Sequence, residues 1–194
     1  AFSFGNAFTC SIISLGFLPI FENIFNIPTR FRILELSNPA TSPLLKQLKL
    51  KAPGTYNHSM LLGDMVEEAA ELLGLDSLMV KVGAYYHDIG KLIHPQYFEE
   101  NQTGRNPHDN LSPFESYRIL SSHTKEGVEL GKLHNLPQII LDIIEQHHGT
   151  SVIEYFYRKA AEINPAVVAD EFRYPGPKPR TVEAALVMIC DSAE

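Results

Sequence analysis

An all-α fold is predicted for this 194-residue chain by three features of its sequence. Apolar residues recur at spacings of three and four along most of its length, the pattern of helices that bury one face. Residues that start and stop helices (Gly74, Asp76, Pro137, Thr181) fall at the ends of those stretches. No segment alternates apolar and polar convincingly enough to read as a strand, and no internal repeat is present.

Taken in order, residues 1–21 carry no charge; 13 of them are apolar, including five of the eleven phenylalanines. The segment 1–25 is therefore expected to be the end of a last transmembrane helix or a membrane-proximal helix. Without a basic N-terminal region it does not read as a secretory signal. Arg30 and Arg32 follow it and would place the next domain on the cytoplasmic side. Residues 26–57 read as a connector punctuated by Pro28, Pro39, Pro43 and Pro53, with a short helical stretch over 44–50. A helix follows from Ser59, with Leu62, Met65, Val66, Ala69 and Leu73 on one face and Gly74 at its end. Asp76 caps the next, whose inner face holds Met79, Val82, Tyr86 and Ile89. Residues 99–113, rich in Asn, Pro and Gly, form a loop. Further helices are expected over 115–133, 137–147 and 152–163; residues 170–180, with Pro175, Pro177 and Pro179, are irregular. The last helix begins near Thr181 and its apolar pattern still runs at Glu194, which with the uncharged start predicts a piece of a longer protein.

Composition narrows the function. Sixteen Lys and Arg against 23 Asp and Glu give a formal charge of −7, which argues against a nucleic-acid polymer as partner. Two cysteines, Cys10 and Cys190, exclude a disulfide scaffold and a CxxC zinc site. Eight histidines remain, and their placement is informative. His58 opens one helix, His87-Asp88 ends the next and His123 is expected at or near a helix start. His147-His148 closes another helix, and Asp191 lies on the last. Five elements thus each bring imidazole or carboxylate to an otherwise apolar helix. Burying so many polar groups is costly unless each is paired, and divalent cations pair them together. Imidazole and carboxylate without thiolate suit iron, manganese or zinc. Seven ligands exceed what one ion with an open water position can use, whereas two ions can share them. The adjacent His87 and Asp88 can both turn inward only where the helix ends. His94, His108 and His134 lie in Pro-, Asn- or Lys-containing surroundings that read as exposed.

In this order the residues resemble the HD-domain metal-dependent phosphohydrolase superfamily, and within it the bacterial seven-transmembrane HD family of cyclic di-AMP phosphodiesterases. The resemblance rests on Leu34–Pro39, Ala52–Ser59, Gly83–Lys91, Glu100–Gln102, Asn106–Asp109 and His147–Thr150, and covers roughly residues 18–194. Gly149-Thr150-Ser151 stands after the His-His pair, where cyclic di-GMP hydrolases carry a Gly-Tyr-Pro signature downstream. Gly90-Lys91 follows His-Asp, where alarmone hydrolases continue with an acidic pair, and mononuclear nucleotidases lack the three additional histidines.

The resemblance implies a helical HD domain over 58–194 with a dinuclear metal site in its core. One ion would be held by His58, His87, Asp88 and Asp191, the other by Asp88, His123, His147 and His148, with iron or manganese as the metals. It implies hydrolysis of cyclic di-AMP to linear pApA by metal-activated hydroxide, with Asp88 bridging the ions and Lys91 neutralising phosphoryl charge. Tyr85, Tyr86 and the 99–113 loop are candidate adenine contacts. The implied location is the cytoplasmic face of the bacterial membrane. Two other readings are an HD nucleotidase or phosphodiesterase acting on another nucleotide, cyclic di-GMP included, and a non-catalytic nucleotide-sensing HD domain.

Overall fold

A computed structural model describes residues 2–25 and 27–194; Ala1 and Asn26, each the first residue of an expected segment, lie outside them. Helix α1 spans Phe2–Phe25, α2 Arg30–Ser37, α3 Pro43–Lys51, α4 Pro53–Leu73 and α5 Ser77–Tyr86. Helix α6 spans Pro113–Leu133, α7 Gln138–Gln146, α8 Glu154–Ile163 and α9 Val182–Ala193. Between α5 and α6 the chain makes four short 3-10 turns, the first at Ile89–Leu92 and the last at Pro107–Asn110. No strand is present among the described residues; a single antiparallel bridge pairs Val152 with Arg173.

Helix ends follow local chemistry where the sequence supplies it. Thr29, Ser42, Asp76 and Thr181 each accept a backbone N–H three residues on through their side chains, and Ser112 with Glu115 forms a reciprocal capping box that starts α6 at Pro113. Gly74 ends α4 at φ 69°, a left-handed conformation that glycine adopts without steric cost.

Helix α4 starts differently. Its N-cap, Ala52, has no capping side chain, and Asn101 accepts from Gly54 N–H (3.0 Å) and Thr55 N–H (3.2 Å) with its Oδ1 instead. This long-range cap extends α4 back to Pro53, so His58 lies in its second turn rather than opening it.

Between residues 27 and 52 the chain forms α2 and α3, whose inner residues belong to the main core. Leu44, Leu45 and Leu48 are buried against Tyr86, Ile89, Ile140 and Ile144. Burying three leucines contributes about 1.5–3 kcal/mol each relative to exposure, so this segment stabilises the domain as well as connecting it. A second cluster joins Leu62, Val66, Val80, Ile143 and Val187, and a third forms around Phe156 and Phe172. Of the predicted inner face of α4, Met65 and Leu73 are exposed, whereas all four predicted inner residues from Met79 to Ile89 are buried. In α1, Gly5–Glu22 is long and apolar enough to cross a membrane by length and composition, and none of it is buried.

Candidate metal centre and its cleft

Helix α5 stops where its polar pair begins. His87 is the C-cap, Asp88 leaves the helical region at φ −107° and ψ 16°, and a 3-10 turn follows. The break lets both side chains turn inward, as the sequence required. Gly90 sits in that turn against α6, where an added Cβ would lie 1.9 Å from the carbonyl oxygen of His123. Only glycine permits the approach that brings Asp88 to His123. His123 itself lies in the middle of α6 rather than at its start, because the helix begins ten residues earlier.

All seven predicted donors converge. Asp88 occupies the centre, with Oδ2 3.1 Å from His87 Nε2 and Oδ1 3.2 Å from His123 Nε2 and 3.6 Å from His147 Nε2. On one side His58 Nε2 lies 3.1 Å from Asp191 Oδ1 and 3.3 Å from His87 Nε2. On the other, His123 Nε2 and His147 Nε2 are 3.2 Å apart. Asp88, His123, His147 and His148 each offer an atom within 4.8 Å of the others', and so do His58, His87 and Asp88. These residues could hold metal ions.

Ring orientation strengthens that reading. Nδ1 of His87, His123 and His147 lies 2.6, 2.6 and 2.9 Å from the carbonyl oxygens of Ala84, Leu120 and Ile144. A carbonyl only accepts, so each Nδ1 carries a proton and each Nε2 is the nitrogen turned to the centre. His58 Nδ1 lies 2.9 Å from Glu194 Oε2, the corresponding arrangement with a carboxylate. Asp88 Oδ1 is buried and receives no hydrogen bond, although two imidazole nitrogens face it. A cation among these nitrogens would give the buried carboxylate oxygen the partner it lacks.

Electrostatics agree. Burial disfavours a charged His87, yet the carboxylates of Asp88 and Asp191 outweigh it and raise its pKa to about 10. Burial also opposes charge on Asp88, but His87 and Lys91 hold its carboxyl well below the usual range. A site that draws a proton onto a fully buried imidazole is short of positive charge. Burial keeps His147 and His148 neutral, the form that ligates metal.

Beside the centre lies a cleft of about 490 Å³, walled by Tyr97, Phe98, Phe156 and Tyr174 and edged by Lys91 and His108. Lys91 Nζ bonds Asp88 Oδ2 (2.7 Å) and Glu100 Oε1 (2.8 Å) and lies 5.0 Å over the Phe98 ring. Tyr85 and Tyr86 are not in the cleft. Both are buried in the core: Tyr86 hydrogen-bonds Leu36 O (2.9 Å) and Ser42 Oγ (2.7 Å), and Tyr85 lies against Gly63. The helix that aims His87 inward turns the preceding tyrosines into the packing between α4, α2 and α5.

His108, expected to be exposed, is buried, with Nε2 2.9 Å from Tyr97 O, whereas His94 is exposed. Sequence reading also missed Tyr174, stacked on His148, and Glu194. Side chains set among prolines or at a helix end carry no periodic signal.

The profile of the HD domain family matches residues 55–194. A cyclic-di-AMP phosphodiesterase PgpH of Listeria monocytogenes serotype 1/2a (strain 10403S) is 50% identical over 194 residues, 100% of this chain and 27% of the relative. The cyclic-di-AMP phosphodiesterase PgpH of Bacillus subtilis (strain 168) is 46% identical over 190 residues, 97% of this chain and 27% of that relative. The crystal structure of the L. monocytogenes PgpH HD domain in complex with cyclic di-AMP is similar at a TM-score of 0.77 and 52% identity, over 80% of this chain and 72% of that one. The chain thus spans about a quarter of the length of these curated relatives. Since the matched region opens three residues before His58 and runs past Asp191, it takes in every donor that faces the centre, and the chain belongs to the HD domain family.

Proposed function

We propose that this domain is a metal-dependent phosphodiesterase that hydrolyses cyclic di-AMP to linear pApA. The observation that carries the reading is the buried Asp88 Oδ1, which accepts no hydrogen bond although Nε2 of His123 and of His147 face it. The donor set would suit two divalent cations, iron or manganese, with Asp88 offering an oxygen to each group. His58, His87 and Asp191 would complete one group of ligands, and His123, His147 and His148 the other. Such ions supply Lewis acidity that lowers the pKa of water towards neutrality and offsets phosphate charge.

The chain's own residues do the remaining work. Asp88 and Asp191 keep the centre anionic enough to retain cations. The carbonyls of Ala84, Leu120 and Ile144 fix which nitrogen of each ring faces inward. Lys91, held charged by Asp88 and Glu100 in spite of its burial, places an ammonium where charge grows on the phosphoryl oxygens. The faces of Tyr97, Phe98, Phe156 and Tyr174 offer stacking surface to adenine, a role proposed here for them in place of Tyr85 and Tyr86. In the whole protein, α1 anchors the domain at the cytoplasmic face of the membrane through Gly5–Glu22, with Arg30 just beyond it.

The test is to load the purified chain with Mn²⁺, incubate it with cyclic di-AMP and separately with cyclic di-GMP, and resolve the products chromatographically. Preferential conversion of cyclic di-AMP to pApA is expected. Two bound ions with neither dinucleotide converted would overturn the assignment.

A further inference from the structure

The segment 172–180 is rich in proline and forms no helix beyond Phe172, yet it is fastened to the His147-His148 region at both ends. Ile153 N–H donates to Phe172 O (2.8 Å), Tyr174 N–H to Ser151 O (2.9 Å) and Arg173 Nη1 to Thr150 O (2.9 Å). Tyr117 Oη donates to Arg173 O (2.6 Å). At the far end Arg180 N–H donates to Oε1 of Gln146 (2.8 Å), a buried residue that immediately precedes His147. Gly149, at φ 52°, reverses the chain after His148, so that residues 151–153 return alongside 172–174.

What this strap delivers is the ring of Tyr174. It stacks on His148 with centroids 4.1 Å apart and planes at 24°, and meets His123 edge-on at 5.9 Å. His148 differs from the other inward histidines. His87, His123 and His147 are each oriented by a carbonyl, and His58 by Glu194. Among the described residues no ring hydrogen bond orients His148; the nearest carboxylate oxygen, Asp191 Oδ2, lies 3.8 Å from its Nδ1. Rotation of an imidazole about its last torsion is soft, so without a partner the ring would sample many planes.

We infer that Tyr174 is the positioning residue for His148: the stacked ring sets the imidazole plane that a hydrogen bond sets for the others. The inference rests on the two-ion reading of the centre. It concerns the ion on the His123, His147 and His148 side only.

The test compares Tyr174→Phe, which keeps the ring, with Tyr174→Leu, which removes it, in the 194-residue chain. Mn²⁺ is titrated into each and free ion is read by electron paramagnetic resonance. The unsubstituted chain and Tyr174→Phe are expected to bind two ions alike. Tyr174→Leu should bind one ion unchanged and the other about 10- to 100-fold more weakly, the range found when an outer partner of a metal ligand is lost. Unchanged binding of both ions by Tyr174→Leu would overturn the inference. So would weakening of both ions together, which marks a general loss of packing, or an equal loss in Tyr174→Phe, which marks a role of the hydroxyl. Occupancy rather than turnover is read, so a domain acting on another nucleotide gives the same result. An unsubstituted chain that binds no ion would overturn the two-ion reading and this inference with it.

Discussion

At the scale of single residues, Asp88 has the most demanding position in the molecule. One of its oxygens faces His87 and Lys91, and the other faces His123 and His147 from a buried position without a donor. Removing its carboxylate takes a ligand from both groups at once and leaves Lys91 beside Glu100 alone. Asp88→Ala is therefore expected to abolish occupancy of both ions and all turnover, as read by elemental analysis of the purified chain; a normal metal content would sink the shared-carboxylate reading. Lys91→Ala should keep both ions and lower kcat by about 10²- to 10³-fold, the usual effect of deleting one group that stabilises developing charge. Loss of metal in that variant would show that Lys91 holds Asp88 in place instead of meeting substrate.

At the scale of elements, the close approach of the His-Asp turn to α6 decides whether Asp88 stands between the two groups of facing donors. Gly90→Ala would place a Cβ 1.9 Å from His123 O and 2.6 Å from Gly127 N, both backbone atoms that yield only if the helix moves. A cost of about 1–3 kcal/mol is expected in chemical denaturation, together with weaker metal binding; a variant as stable as its parent would contradict the packing described. Much of this level was legible in the sequence. Asp76, Ser112 with Glu115, and Thr181 are local caps, and the run from Met79 to Ile89 has a clear helical period, so α5, α6 and α9 were readable to within a few residues. The same held for the seven inward donors, whose residue types have few other reasons to sit on apolar helices. Where the partner is distant, the sequence was silent. Pro53 reads as loop punctuation, but it stands at the first turn of a helix, where its missing N–H costs nothing. Tyr85 and Tyr86 looked like candidates for base contact because they adjoin the His-Asp pair, yet the helix turns them into the core. His108 reads as a loop residue, and only the tertiary fold shows that Tyr97 and Phe156 cover it.

At the scale of the whole molecule, metal and stability are linked. The centre packs two carboxylates and five imidazoles where α4, α5, α6, α7 and α9 meet, a cluster of metal-ligating groups that a bound cation would tie together. Chelation should lower Tm, and restoring Mn²⁺ to 100 times its Kd should return about 2.7 kcal/mol per ion bound only by the folded state. Thermal melts with and without chelator read this directly, and an unchanged Tm would show that the cavity is indifferent to metal. The cap on α4 has a different consequence. Asn101 stands in the stretch that walls the cleft, yet its side-chain oxygen takes the first free N–H groups of the helix that bears His58. Swinging that wall outward would strip the helix of its cap, a loss of about 1 kcal/mol, and would loosen the turn that precedes His58. Wall and helix are therefore coupled: whatever displaces the stretch around Asn101 also loosens the first turn of α4.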